Sequence, residues 1–325
     1  MSYRAKALKY SEILFRRIYS CIQKAVPSSF KTLKWLLRWM IPISLAVTLL
    51  DFSGVLTVFA GWLNPVFNQI GLSGQSSLVF ITSALLSIYS AIAVIGSLSL
   101  TMREVTILAI MCLISHNLII ETIVQKKTGS SAFRMLAIRL GMAIFAGVLF
   151  NWLLPASLFQ SMNQSSISVH HLAFSDVLQS WTLNTFKLLL KVSVFVFSLV
   201  IIQRILEEFG VLKWLSLVFK PFMYILGLPE KSSFLWIVAN VVGLMHGSAI
   251  MFDELKNGKI SKEECDVLNH HTAVSHSLLE DTLLYVAIGV PVLWIIIPRV
   301  LLAIPIVWTA RFFYKVNSGK AYIKT

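Results

Sequence analysis

One stretch of the chain crowds ionisable residues together: NHHTAVSHSLLEDT, residues 269–282, with His270, His271 and His276 beside Glu280 and Asp281. An imidazole and a carboxylate four residues apart, as in His276 and Glu280, share one helix face. Together they can hold a polar ligand, a divalent ion or a proton in transit. Hydrolytic chemistry does not fit the spacing. The sequence has no GxSxG, no HExxH and no GxxxxGK followed by Ser or Thr, so nucleophile elbow, zincin site and P-loop are all missing. HHTAVSH lacks the Glu beside the first His that zinc-peptidase chemistry needs. No catalytic residue, resident metal or cofactor is assigned, and the chain is read as not being an enzyme.

On a regular helix the polar groups of 269–282 fall on every side. No lipid-facing helix tolerates that, so the segment must be enclosed by protein or water, or be locally unwound. The enclosure has to come from an oily chain. Hydrophobic residues make up 57% of its 325 positions and charged ones 13%, with a mean hydropathy of +0.77, which fits an integral membrane protein rather than a water-soluble domain. Apolar runs around 35–51, 77–98, 104–124, 135–155, 188–203 and 291–310 approach or reach the ~20 residues that cross a bilayer.

The formal charge of +13 is spread along the edges of these runs, which points to membrane orientation and not to nucleic acid. Residues 1–38 carry nine Lys or Arg against the single acid Glu12, and 311–325 carry four against none. Both termini are therefore expected in the cytoplasm of an inner, plasma-membrane protein, facing an anionic leaflet. The stretch 156–185 has no Lys or Arg and is expected outside, with Lys187 and Lys191 just beyond it snorkelling. Leu8, Phe15, Ile18, Tyr19 and Ile22 share a face in the basic N-terminal segment, which predicts an amphipathic helix lying on the inner leaflet. Cys21, Cys112 and Cys265 show no CxxC spacing, so disulfides and thiolate metal sites are not expected.

The sequence also repeats itself. Gly54-Val55-Leu56 recurs as Gly210-Val211-Leu212, Pro65 as Pro221, Gly71-Leu72 as Gly227-Leu228 and Ser76-Ser77 as Ser232-Ser233, each 156 positions later. The displacement then becomes 160, where SHNLIIET (115–122) lies over SHSLLEDT (275–282) and Arg139 over Arg299. The organisation read from this is a basic segment 1–31, a first copy 32–155, an external linker 156–185, a second copy 186–313 and a basic tail 314–325. A copy that begins inside and ends outside, followed by one that does the reverse, gives inverted repeats, an arrangement of transporters whose binding site lies where the copies meet.

Each copy divides into five segments: a long helix (33–51; 186–206), a shorter one (54–70; 210–227), an apolar stretch interrupted by small residues (77–98; 233–251), the helix bearing Ser-His (104–124; 266–286) and a closing helix (132–155; 291–313). Ten spans and six spans with two re-entrant hairpins both satisfy the charges. Lys213 and Lys220, opposite Thr57 and Asn64, favour a shorter helix lying in the interface, and NVVGLMHGSA (240–249) favours a hairpin tip. The fold expected is an all-α polytopic membrane protein with two inverted repeats, each ordered helix, interfacial helix, re-entrant hairpin, polar helix, helix.

Depth along the helices predicts two structural ion pairs, Glu121 with Arg139 and Asp281 with Arg299. That leaves His116, His246, His276 and Glu280 as the binding residues for a substrate or ion. Glu280 stands opposite Ile120 and His246 opposite Ser90, so the second copy holds ionisable groups the first lacks. His270 and His271 are placed nearer the cytoplasmic end, within reach of water.

This pattern resembles the Gate, or nucleoside-recognition, superfamily, which takes in spore maturation proteins A and B, the membrane part of ferrous iron transport protein B and the core of concentrative nucleoside transporters. The resemblance covers roughly 33–313 and rests on the order of segments with the Gly-rich NVVGLMHGSA and the NHHTAVSHSLLEDT that follows. It implies a substrate site between the two hairpins and two partly unwound polar helices. It does not extend to a nucleoside substrate, and the missing P-loop sets the chain apart from nucleotide-driven iron uptake. The expected partner is a small polar solute or ion, moved passively or against a cation gradient, with room for a homo-oligomeric or other membrane partner. The alternatives are a non-transporting membrane assembly factor and a membrane-embedded metal-dependent enzyme.

Overall fold

The computed structural model describes residues 3–154 and 173–318, all helices and connections. Most of the expected linker, with His170 and His171, and the last residues of the tail lie outside the described residues. Five helices, Ser11–Phe52, Met102–Lys127, Ala132–Leu153, Phe174–Glu208 and Val292–Val316, are long and apolar enough to cross a membrane. The protein is an all-α polytopic membrane protein.

The order of elements in the first copy returns in the second. Helix α1 (Tyr3–Phe52) is followed by α2 (Val55–Gln69), α3 (Ser76–Leu85), α4 (Ile88–Ile95), α5 (Met102–Ser115), α6 (Leu118–Lys127) and α7 (Ala132–Leu153). The second series is α8 (Phe174–Glu208), α9 (Val211–Phe219), α10 (Ser233–Val241), α11 (Leu244–Lys256), α12 (Lys262–Val274), α13 (Glu280–Ala287) and α14 (Val292–Ser318). Details far below the level of sequence identity repeat too. Thr101 with Glu104 forms a capping box at the start of α5, and Ser261 with Glu264 forms one at the start of α12. Gly129 and Gly289, both at positive φ, end α6 and α13.

The long helices correct two expected boundaries. Residues 3–52 form one helix of 50 residues, so the basic segment does not end at residue 31 as a separate surface element. It runs on because its buried face continues in register: Cys21, Ala25 and Ser29 lead into Leu36 and Met40. Phe15 and Tyr19, expected to define the apolar face, are exposed. The helix lies antiparallel to α8, as shown by Arg17 bound to Glu208 at 2.9 Å near one end and the tilted Phe52 and Phe174 rings, 5.5 Å between centroids, at the other. Helix α8 itself begins at Phe174, so residues 174–185 belong to a helix and not to the linker.

The third segments are broken in both copies. Helices α3 and α4 have 10 and 8 residues, about 15 and 12 Å at ~1.5 Å per residue, too short to cross a hydrocarbon core of ~30 Å. The two halves pack on each other, and so do α10 and α11. In the second pair the approach is tight. A Cβ on Gly247 would sit 2.8 Å from the Ala239 Cα, so the backbones touch eight residues apart in sequence. These are hairpins. The ten-span alternative is not what the chain adopts, and the short α9, 9 residues long, is no span either.

Candidate functional site

The helix that carries Ser-His is interrupted in both copies at that motif. Helix α5 stops at Ser115, His116 is extended and Asn117 takes φ 48°; α12 stops at Val274 and Ser277 takes the same φ of 48°. Each interruption is fastened in the same way. The Asn117 amide donates to the Ser83 carbonyl in the first hairpin at 2.9 Å, and the Ser277 amide donates to the Ala239 carbonyl in the second at 2.9 Å. The carbonyls that the break frees are taken by arginine. Arg139 Nε donates to the Ile114 carbonyl at 2.9 Å and its Nη2 to the His116 carbonyl at 2.6 Å; Arg299 donates to the carbonyls of Val274 and His276. Both guanidinium groups are fully buried. In a helix core without water, a carbonyl left by a break must be answered by such a donor.

The two breaks bring the copies face to face. His116 Nε2 and His276 Nε2 are 3.4 Å apart, and their rings lie 4.9 Å centre to centre. Glu121 reaches both, with Oε1 at 3.2 Å from His116 Nε2 and Oε2 at 3.2 Å from His276 Nε2. Asp281 Oδ2 lies 3.4 Å from His116 Nε2. The contacts cross between copies: each histidine meets the carboxylate of the other repeat, and equivalent histidines meet each other. Equivalent atoms meeting in this fashion lie beside a twofold axis. All four side chains are buried.

Glu121 also holds Arg139, at 2.6 Å from Oε2. The expected Asp281–Arg299 pair does not form: among the described residues these two are not within ion-pair distance, and the reason is geometric. Arg299 is engaged by two carbonyls at the break, while Asp281, in the first turn of α13, turns toward His116. His270 and His271 are also corrected. Both are buried and partnered, His270 Nδ1 with the Asp266 carbonyl at 2.6 Å and His271 Nδ1 accepting from the Trp236 indole at 3.2 Å.

A cavity of about 530 Å³ leads to this junction. Its lining includes the exposed His246 and the buried His116, Glu121 and Asp281. Glu280 stands on its wall and accepts a hydrogen bond from the Tyr89 hydroxyl at 3.3 Å. The four residues expected to bind therefore separate by place. His116 and His276 meet in the interior, Glu280 lies along the cavity, and His246 lies where the cavity meets the surface. Tyr89, Asn117, Gln203 and Ser277 also line it and were not singled out in the sequence. Asn117 and Ser277 could have been, since they occupy equivalent places after the paired histidines. A larger groove of about 800 Å³ lies between α7 and α14, walled mainly by apolar residues such as Met142, Phe145, Leu302 and Ile306.

The chain is similar to a bacterial membrane protein. It is 28% identical over 288 residues, 85% of this chain and 89% of the relative, to the uncharacterized membrane protein YvoD of Bacillus subtilis (strain 168). No protein-family model matches the chain. No solved structure matches it either. The likeness spans most of the length of both proteins.

Proposed function

We propose that this protein is a transporter-like membrane protein with a Gate-type, nucleoside-recognition arrangement, moving a small polar solute or ion through a mid-membrane site between two inverted repeats. The observation that carries this reading is the polar cavity joining exposed His246 to the buried His116, Glu121 and Asp281 at the contact between the copies. Buried ionisable groups are costly in a membrane core and are retained where they face a pathway. Broken helices and hairpins at the interface of internal repeats are how such pathways are built. In this reading both termini are cytoplasmic, the repeat axis lies in the membrane plane, and no step of covalent chemistry is involved.

The test is a thermal-stability panel on purified protein in detergent, with nucleosides, amino acids, small anions and divalent metals. At least one class should raise the melting temperature of the wild type, and Glu280→Gln and His276→Ala should remove that response while leaving the unliganded protein folded. A wild type indifferent to every class, together with variants that merely unfold, would replace transport by a membrane assembly role in which the polar junction only holds helices together.

A further inference from the structure

Resting on that reading of the junction, we propose that His116, His276 and Glu121 form a binding site for a divalent first-row transition ion of the Zn²⁺ type, with Asp281 next to it against His116. The argument begins with hydrogen positions. His116 Nδ1 lies 3.1 Å from the Cys112 carbonyl and His276 Nδ1 lies 2.7 Å from the Thr272 carbonyl. A carbonyl oxygen only accepts, so each Nδ1 carries the hydrogen and, in the neutral ring, each Nε2 presents a lone pair. This is the outer-shell support that orients histidine ligands in metal centres.

The two lone pairs point into a space whose other walls are carboxylate oxygens. Arg139 meets Glu121 Oε2 at 2.6 Å from one side, and the remaining atoms that face one another here are acceptors, which a cation placed among them would join. A single proton joins only two of the atoms, whereas a metal ion joins one from each of His116, Glu121 and His276. Distances favour the metal. Ligand atoms at the corners of a tetrahedron with bonds of ~2.0–2.1 Å stand about 3.3–3.4 Å apart. The observed separations are 3.4 Å between the two Nε2 atoms, 3.2 Å from His116 Nε2 to Glu121 Oε1 and 3.2 Å from His276 Nε2 to Glu121 Oε2. Direct hydrogen bonds involving nitrogen and oxygen centre nearer 2.9 Å. His116, Glu121 and His276 also pass as a set, each offering a ligand atom within 4.8 Å of the others.

Ligand type narrows the ion. Two imidazoles with a carboxylate suit Zn²⁺, Co²⁺, Fe²⁺ or Mn²⁺, while Mg²⁺ and Ca²⁺ want a shell of oxygens. Arg139 holds Glu121 Oε2 at 2.6 Å and so withdraws part of the negative charge the ion would use. That suits a site which must release what it binds.

Full-length protein, stripped with a chelator and kept in detergent, would be titrated with Co²⁺ as a spectroscopic probe and with Zn²⁺ in equilibrium dialysis. The expected result is one ion per chain, a visible Co²⁺ absorption of tetrahedral type, and no displacement by a ~100-fold excess of Mg²⁺. His276→Gln and Glu121→Gln should each weaken binding by at least about 10-fold, the lower end of what losing even an outer-shell partner costs. Failure of the wild type to bind Co²⁺ or Zn²⁺ overturns the proposal, as does binding left unchanged in both variants while circular dichroism and gel filtration show them folded. The two readings fail separately. Protection by a nucleoside without Co²⁺ binding would sink the metal site and leave transport standing, whereas one bound Zn²⁺ without its uptake into proteoliposomes would keep the site and remove the ion as cargo.

Discussion

At the scale of single residues, the arginines define what the histidines can do. Arg139 and Arg299 terminate the two half-helices by occupying carbonyls, and only Arg139 also meets a carboxylate at close range. Removing one member of a buried pair leaves the other uncompensated, at a cost of roughly 3–5 kcal/mol, while removing both is far milder. Arg139→Met should therefore lower stability by about that amount, and Glu121→Gln added to it should recover part of the loss. Thermal unfolding of the two single variants and the double variant measures the coupling; a double variant no better than Arg139→Met alone would show that the carbonyl contacts, not Glu121, hold the guanidinium. The pairing of Glu121 with Arg139 was legible in the sequence because the 160-residue register set Arg139 against Arg299 at equal depth. The Asp281–Arg299 half of the same construction was not, since depth along a helix says nothing about which way a side chain turns once the helix is broken. The break itself depends on hydrogen bonds from Asn117 and Ser277 to hairpins distant in sequence, and such contacts leave no local signature.

At the scale of elements, the hairpins are where composition spoke most clearly. NVVGLMHGSA places small residues at a fold-back, and Gly247 sits against Ala239 so closely that a methyl group has no room. Gly247→Ala should cost about 1–3 kcal/mol, the usual range for overpacking a close contact. Gly141→Ala is the control, because a Cβ there meets nothing within 4 Å. Melting temperatures of the two variants decide it: equal, small shifts would mean that α10 and α11 do not need their close approach. The N-terminal helix shows the opposite lesson. Its basic residues were read as a surface element because charge and apolar residues alternate around 1–31, yet the buried positions Cys21, Ala25 and Ser29 continue the stripe of the span. A periodic pattern fixes a face, but where one helix stops and the next begins needs a breaker, and Pro27 does not act as one here.

At the scale of the whole molecule, the near-symmetry and its violations have different origins. Paired capping boxes, paired breaks and paired arginines recur at equivalent places in the two copies, and their common register is visible in the sequence. Glu280 and His246 break the symmetry in the second copy, while the cavity they line is walled by the first copy too, through Tyr89, His116, Asn117 and Glu121. The proposed transport reading holds provided the copies are inverted across the membrane. That proviso is testable by orientation alone. With the natural cysteines replaced, cysteines introduced as Ser165→Cys in the linker and Lys259→Cys in the exposed turn after α11 should react with a membrane-impermeant maleimide from opposite faces. In intact cells only the Ser165 position should label, and in inside-out vesicles only the Lys259 position. Labelling of both from one face would place the two copies in parallel, which removes the inverted arrangement and, with it, the case for a pathway that opens alternately to the two sides.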